Sequence, residues 1–254
     1  MIIKSEKLSN FDNQLIHGTA VGVFLFALGH KKEVLDNRGQ FVDQLGIDLA
    51  DLVFVHQIHG DQIKIVDTKY KGAGVFSRES YIKFADGLIT NRPGVFLGIF
   101  TSDCLPVLLY DPVKKIAAGV HIGYKGILNK IVFRLIEAIK ENYQSRPGDL
   151  IVYAGPCVGR CCYEVSQCHD DRIKNFEDQF NNNSEVLVRK NDLVYLDLKQ
   201  AATNQFLSLG VAKENLEISN VCTYCDQKNL PSHRREGDSR KRSLLSVIGI
   251  KNSK

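Results

Sequence analysis

No run of about 18 uncharged apolar residues occurs in the 254-residue chain, so no segment is long enough to cross a bilayer as a helix. The N-terminus, Met1-Ile2-Ile3-Lys4-Ser5-Glu6-Lys7, has neither an apolar centre nor a small-residue cleavage site. That argues against a secretory leader and predicts a cytoplasmic protein. Excess charge is small: 33 Lys+Arg against 29 Asp+Glu leave +4, too little without a concentrated patch to argue for nucleic acid. Repeats, low-complexity tracts and Pro/Gly/Ser linkers are missing, which favours one domain over residues 1–254. Seven cysteines make an odd count in a chain without an export signal. They read as thiols, metal ligands or a nucleophile rather than a disulfide framework. A fold of this size buries roughly 70–75% of its unfolded surface and needs neither disulfides nor metals to hold together.

What is present is an ordinary globular pattern of 44% hydrophobic and 24% charged residues. Val34, Leu35, Val42 and Leu45 predict a helix over 31–45, stopped by Gly46. Residues 52–58 alternate as a strand, with Phe54, His56 and Ile58 on one face and Val55, Gln57 and His59 on the other. Strands are also predicted at Val21–Leu28, Val95–Phe100, Val107–Tyr110, Ile116–Ile122, Leu150–Ala154 and Leu216–Val221. Leu128, Ile131, Leu135 and Ile139 lie at helical spacing, as do Ile173, Phe176 and Phe180 within 169–180. A further helix spans 197–209, with Asp197 as N-cap and Gly210 as its stop. Lys251 to Lys254 are expected to fray. Strands and helices that do not strictly alternate predict an α+β fold with mixed sheets.

Three positions carry candidate chemistry. His59 precedes Gly60 where a strand ends. Cys104 follows the polar trio Thr101-Ser102-Asp103 at the end of another strand. His121 closes a third strand before the Gly123-x-x-Gly126 turn and a helix start, a place suited to an anion. One thiolate and two imidazoles suit Zn²⁺ with an open fourth position. Cu²⁺ accepts the same donors, and Cys104 with His121 equally suits a nucleophile and its base. His56, sharing a face with Phe54 and Ile58, reads as structural. Cys222-Thr223-Tyr224-Cys225 is a C-x-x-C. Cys157, Cys161, Cys162 and Cys168 supply no second pair at zinc-ribbon spacing, so both groups read as structural thiols. Arg234, Arg235, Arg240, Lys241 and Arg242 lie in a loop whose plain reading is a solvated face, and whose functional reading is an anion clamp.

These motifs, in this order, resemble the bacterial polyphenol-oxidase or laccase-domain family. Its members are also described as multifunctional purine nucleoside phosphorylases, and one branch as a peptidoglycan editing factor. The resemblance rests on Gln57-Ile58-His59-Gly60, Ala85-Asp86-Gly87-Leu88-Ile89-Thr90, Thr101 to Leu108, Val120 to Gly126, Gly155-Pro156-Cys157-Val158-Gly159 with Cys162-Tyr163-Glu164-Val165, and Cys222 to Cys225 followed by Arg234-Arg235. It implies a layered α/β/β/α fold of the cytotoxic-necrotizing-factor-like hydrolase type. It implies His59, Cys104 and His121 as metal ligands, zinc in most members, with Cys104 and His121 also catalytic. The place of the basic loop among these motifs makes Arg234, Arg235 and Lys125 candidate phosphate contacts, and Gln57 is a further candidate substrate contact. The implied reactions are phosphorolysis of adenosine, inosine, guanosine and methylthioadenosine, and adenosine deamination; the partners are therefore purine nucleosides and phosphate. The chain departs from the family pattern in several places. Tyr124-Lys125 replaces Trp-Arg, keeping an aromatic wall and a charge but losing the guanidinium fork. No Thr-Arg-x-Gly-Gly loop is recognisable in His17 to His30. His233 replaces an aromatic, and either Arg240 or Arg242 aligns with a later arginine. The rivals are a cysteine hydrolase acting on a muropeptide amide, a copper polyphenol oxidase, and a non-catalytic binding protein. A true multicopper oxidase needs several copper centres and more histidines than the seven present.

Overall fold

The computed structural model describes residues 1–22, 31–168, 171–237 and 242–252. The strands are β1 (Ile2–Ile3), β2 (Leu15–Ala20), β3 (Leu52–Phe54), β4 (Ile63–Ile65), β5 (Gly87–Thr90), β6 (Phe96–Thr101), β7 (Leu105–Asp111), β8 (Ile116–Ile122), β9 (Ile151–Ala154), β10 (Leu187–Lys190), β11 (Leu193–Leu196), β12 (Leu216–Ile218) and β13 (Leu244–Ile250). The helices are α1 (Glu6–Ser9), α2 (Lys32–Leu45), α3 (Tyr124–Leu128), α4 (Ile131–Tyr143), α5 (Arg172–Phe180), α6 (Leu198–Ser208) and α7 (His233–Glu236). None is long and apolar enough to cross a membrane.

Two mixed sheets form. One has the order β1-β2-β13-β6-β3 and the other β12-β9-β7-β8-β5-β4. Most pairings are antiparallel; β3–β6, β4–β5 and β9–β12 are parallel. The central strands read as near-continuous apolar runs because both of their faces are buried. Along β7, Leu105, Val107 and Leu109 join a core with Ile131, Leu135 and Ile139 of α4 and Phe206 of α6. Leu108 and Tyr110, on the opposite face, pack with Val53, Leu97 and Ile248 of the other sheet. The outer face of that sheet, through Phe54, Phe96 and Val247, is covered by Phe41 and Val42 of α2. The layers are therefore helix, sheet, sheet, helix, the α/β/β/α arrangement that the family resemblance implies. The sheets meet closely at Gly119, where an added Cβ would lie 3.1 Å from Ile99 Cγ1. Each fully buried aliphatic side chain in these layers contributes about 1.5–3 kcal/mol.

Most predicted elements appear within a residue or two. Gly46 ends α2 in the left-handed region at φ 71°. Asp197 caps α6 through a 3.0 Å bond from Gln200 N–H, and Gly210 stops the chain there at φ 92°. Several expectations fail. The strand expected over 52–58 ends at Phe54. Beyond a single bridge from Val55 to Ile82 the chain leaves the sheet, so the alternating faces assigned to His56–His59 do not exist. Leu128 does not share a helix with Ile139, because Lys130 at φ 62° separates α3 from α4. The strand expected over Leu216–Val221 stops at Ile218, and helix α5 starts at Arg172. Lys251 is tied rather than frayed: its N–H donates to Gln14 O at 2.7 Å. Residues 23–28 of the expected strand Val21–Leu28, part of the His17–His30 segment, residues 253–254, and Arg240 with Lys241 lie outside the described residues.

Candidate metal centre

His59, Cys104 and His121 come together from three separate chain segments: the loop after β3, the β6–β7 turn and the last turn of β8. Their ligand atoms all lie within 4.8 Å of one another. The two imidazoles meet edge to face, with centroids 4.7 Å apart and planes at 88°. Each placement has a local cause, and the cause is a buried aspartate.

Asp86, fully buried before β5, organises both histidines. Its carboxylate accepts the backbone N–H groups of Ile58 at 3.2 Å, His59 at 2.9 Å and Gly60 at 2.7 Å. Three donors on one anion hold His59 at φ 60°, a region where its Cβ is crowded. The same carboxylate lies 2.8 Å from Nδ1 of His121, and the Asp86 carbonyl accepts the His121 N–H at 2.7 Å. With Nδ1 engaged by the carboxylate, Nε2 is the nitrogen of His121 left to face Cys104 or an ion, the arrangement by which a carboxylate orients a metal-binding imidazole. Burial alone would raise the Asp86 carboxyl; His121 and the amides of Gly60 and Ile58 bring it below the usual range instead.

Asp103 does the same for Cys104. It sits at φ 82° and accepts Thr223 Oγ1–H at 2.6 Å, Ser232 Oγ–H at 2.9 Å and Arg234 N–H at 2.7 Å. This ties the turn that carries the thiol to two later loops. Burial would raise the Cys104 thiol, yet His121 and His59, both hydrogen-bonded to it, bring it down to about 6. Burial would lower His121, but the Cys104 thiolate and Asp86 raise it to about 9. Gly123 completes the wall: a Cβ there would lie 3.3 Å from both Cys104 Sγ and His59 Cδ2. A His₂Cys donor set graded from the buried His121 through the half-buried Cys104 to the exposed His59, with one imidazole backed by a carboxylate and a glycine leaving space beside the sulfur, fits a tetrahedral ion with an open position.

Beside the ligands lies a cluster of arginine and tyrosine. The Arg172 guanidinium stacks 3.6 Å from the Tyr124 ring centroid and donates to the Tyr163 hydroxyl at 3.4 Å. Arg234 lies 5.6 Å over the Tyr163 ring and also contacts Glu164. Burial holds the Tyr163 hydroxyl well above its ordinary value, with the Cys104 charge adding to the rise and the two arginines opposing it. Lys125 is exposed, 5.9 Å over Tyr124.

The other expected contacts are occupied. The Gln57 amide closes on the backbone of Phe100, donating to its carbonyl at 2.8 Å and accepting its N–H at 2.9 Å. Arg235 donates to the carbonyls of Thr223, Tyr224 and Leu230 and to Glu236. Arg242 pairs with Glu236 at 2.5 Å. Sequence reasoning did not single out Asp86, Asp103, Tyr163 or Arg172. The first three stood inside quoted motifs; for Asp86 and Asp103 a carboxylate beside a strand end was the available signal, and for Tyr163 its place next to Cys162. Arg172 had none, since its position depends on how α5 packs.

The family model for multi-copper polyphenol oxidoreductase laccases matches residues 27–251, and the chain belongs to that family. It is 29% identical over 221 residues to the purine nucleoside phosphorylase YlmD of Bacillus subtilis, covering 86% of this chain and 78% of that one. It is 29% identical over 217 residues to an adenosine deaminase from an unknown prokaryotic organism, covering 84% and 81%. The crystal structure of YlmD from Geobacillus stearothermophilus matches with a TM-score of 0.86 at 26% identity, covering 94% of this chain and 92% of that one.

Proposed function

We propose that the chain is a zinc-dependent purine nucleoside phosphorylase acting on adenosine, inosine, guanosine and methylthioadenosine, with adenosine deamination at the same centre. The observation that carries this reading is the convergence of His59, Cys104 and His121, oriented by Asp86, in a chain whose relatives are named for these activities. Those three side chains would hold the ion, which when bound supplies Lewis acidity and lowers the pKa of water toward ~7.

The protein's own residues do the rest. Asp86 keeps the His121 proton on Nδ1 and fixes both rings, so the centre does not reorganise during reaction. Phosphorolysis forms a bond from a phosphate oxygen to C1′ of the ribose and breaks the bond from C1′ to N9, the electron pair leaving on the purine. Arg234 and Arg172, which both contact Tyr163, offer guanidinium forks to the phosphate, with Lys125 as a nearby point charge. Arg235 is engaged on every side by the loop and serves to hold Arg234 in place. Tyr124 provides an aromatic face for the base. In deamination, water adds at C6 and ammonia departs.

Elemental analysis paired with inosine turnover, with and without phosphate, tests the reading. Hypoxanthine release that needs phosphate, and that disappears along with one metal equivalent in Cys104→Ser, is expected. A zinc-loaded protein that turns over neither inosine nor adenosine overturns it. One observation favours a second reading: Asp86, His121 and Cys104 also have the order of a cysteine hydrolase, in which the thiolate attacks an amide carbonyl and His121 protonates the leaving amine. A muropeptide amide is the substrate class to try. Activity abolished by thiol alkylation but untouched by chelation selects that reading.

A further inference from the structure

Four cysteines that the sequence left as unrelated thiols meet at one point. Cys161 and Cys162, in the loop after β9, reach Cys222 and Cys225, in the loop after β12. All four sulfurs lie within 4.8 Å of one another. The sequence spacing offered no second C-x-x-C; the fold supplies the missing pair from two adjacent residues some sixty positions earlier. We infer that Cys161, Cys162, Cys222 and Cys225 form a second metal site, a tetrathiolate centre for a single Zn²⁺ ion.

The distances carry the choice of ligand. Cys161 and Cys162 lie 3.7 and 3.4 Å from Cys225 between sulfurs, and all are free thiols. A disulfide requires about 2.05 Å. Four sulfurs at the corners of a tetrahedron, each about 2.3 Å from a zinc ion, stand about 3.8 Å apart. A tetrahedral set of sulfurs selects zinc or iron–sulfur chemistry, and a cluster with several irons needs its cysteines spread further than these are.

The backbone is arranged to support thiolates rather than neutral thiols. Gly159 N–H points at Cys222 Sγ at 3.2 Å, and the Cys225 N–H donates to the same sulfur. Hydrogen bonds from backbone amides to a ligating sulfur are outer-sphere contacts that orient a metal ligand. The two loops are also registered by main-chain contacts: Cys157 bridges Cys222, and Thr223 N–H donates to Cys157 O at 3.0 Å. Binding converts four thiols and Zn²⁺ into a tetrathiolate complex and releases four protons. No redox partner is needed.

The consequence falls on the neighbouring centre. Tyr163 and Glu164, which contact Arg234, directly follow Cys162. Thr223, which bonds Asp103 beside Cys104, lies between the other two ligands. The ion is a closed structural clamp that joins these two loops. It neither requires nor implies the nucleoside chemistry proposed above.

The test is metal content, read independently of activity. Full-length protein purified under reducing conditions should carry two zinc ions per chain. Cys222→Ser/Cys225→Ser should lose one of them, and Cys104→Ser the other. To keep the test independent of the double variant's folding, the wild-type protein is also loaded with Co²⁺. Sulfur-to-cobalt charge-transfer absorption should have the intensity of about five thiolates for the two sites together, whereas the His59–Cys104–His121 centre alone supplies one. Two zincs with no nucleoside turnover sinks the proposed function and leaves this site standing. A single zinc per chain, with the cobalt spectrum of one thiolate, overturns the inference. So does a Cys161–Cys225 or Cys162–Cys225 disulfide in protein prepared without reductant that retains only one zinc.

Discussion

The His59–Cys104–His121 centre and the Cys161–Cys162–Cys222–Cys225 cluster offer a contrast within one molecule. The first gathers a loop, a tight turn and a strand end, with His121 almost fully buried, its imidazole backed by Asp86, the His59 backbone held by the same carboxylate, and Gly123 leaving space at its edge. The second is built from two loops, and two of its four sulfurs, on Cys161 and Cys225, are exposed. A donor set with an open position on a rigid frame suits chemistry. A closed set of four on loops suits a staple. What differs is where the outer contacts come from. Asp86 collects four hydrogen bonds from two segments, while Cys222 in the second cluster depends on main-chain amides, one from Gly159 in the facing loop and one from Cys225 in its own.

That comparison is broken most severely at Asp86. Asp86→Ala leaves the N–H groups of Ile58, His59 and Gly60 without an acceptor inside the protein. Each such loss costs about 1–3 kcal/mol, so a large fall in Tm and an empty His₂Cys centre are expected, with the tetrathiolate ion retained. Asp86→Asn, the milder change, should weaken metal binding at that centre roughly 10–100-fold, measured by competition with a chromogenic chelator. An unchanged affinity would mean that Asp86 does not orient the ligands.

Gly123→Ala is the next largest. Its methyl would crowd Cys104 Sγ and His59 Cδ2 at 3.3 Å. Gly123 has φ −91°, which alanine adopts freely, so the fold should be unaffected. Metal affinity at the first centre should drop on the order of tenfold while chemical denaturation stays that of wild type. If both are unchanged, the space beside the sulfur is not needed.

The two neighbouring arginines separate function from scaffolding. Arg235→Ala removes the donor to three carbonyls and leaves Glu236 paired with Arg242, and should lower stability by about 1–3 kcal/mol. Arg234→Ala should instead raise KM for phosphate at nearly unchanged Tm. A reversal of these two outcomes would move the anion site to Arg235.

The smallest effect lies far from both centres. His17 is fully buried and accepts Ser5 N–H at 3.1 Å through Nε2. Burial lowers its pKa below the ordinary histidine value of about 6.5, with Asp12 partly opposing. The unfolded chain therefore binds the extra proton first. The stability that neutral His17 contributes is present above about pH 6.5 and is lost as pH falls toward the folded value. His17→Asn should flatten the decline of Tm between pH 7 and pH 5, with no change in metal content.

Periodicity alone was enough for much of this fold. The apolar alternation of β7 and β8, the stripe of α4 and the stops at Gly46 and Gly210 depend on local backbone and side-chain preferences, and these act within a few residues. The three candidate ligands were legible for the same reason, as reactive side chains beside turns that polar residues and glycines mark. Tertiary structure decided everything that required two distant segments. The alternation through Val55–His59 suggested a strand, but three amides gathered by Asp86 outweighed it and turned the chain out of the sheet. Arg235 looked like an anion clamp until the loop around Thr223 closed on it. Cys161 and Cys162 had no visible partner in the chain because a metal site is set by distances in space. The register between β9 and β12, and not spacing along the chain, brings those sulfurs to Cys222 and Cys225.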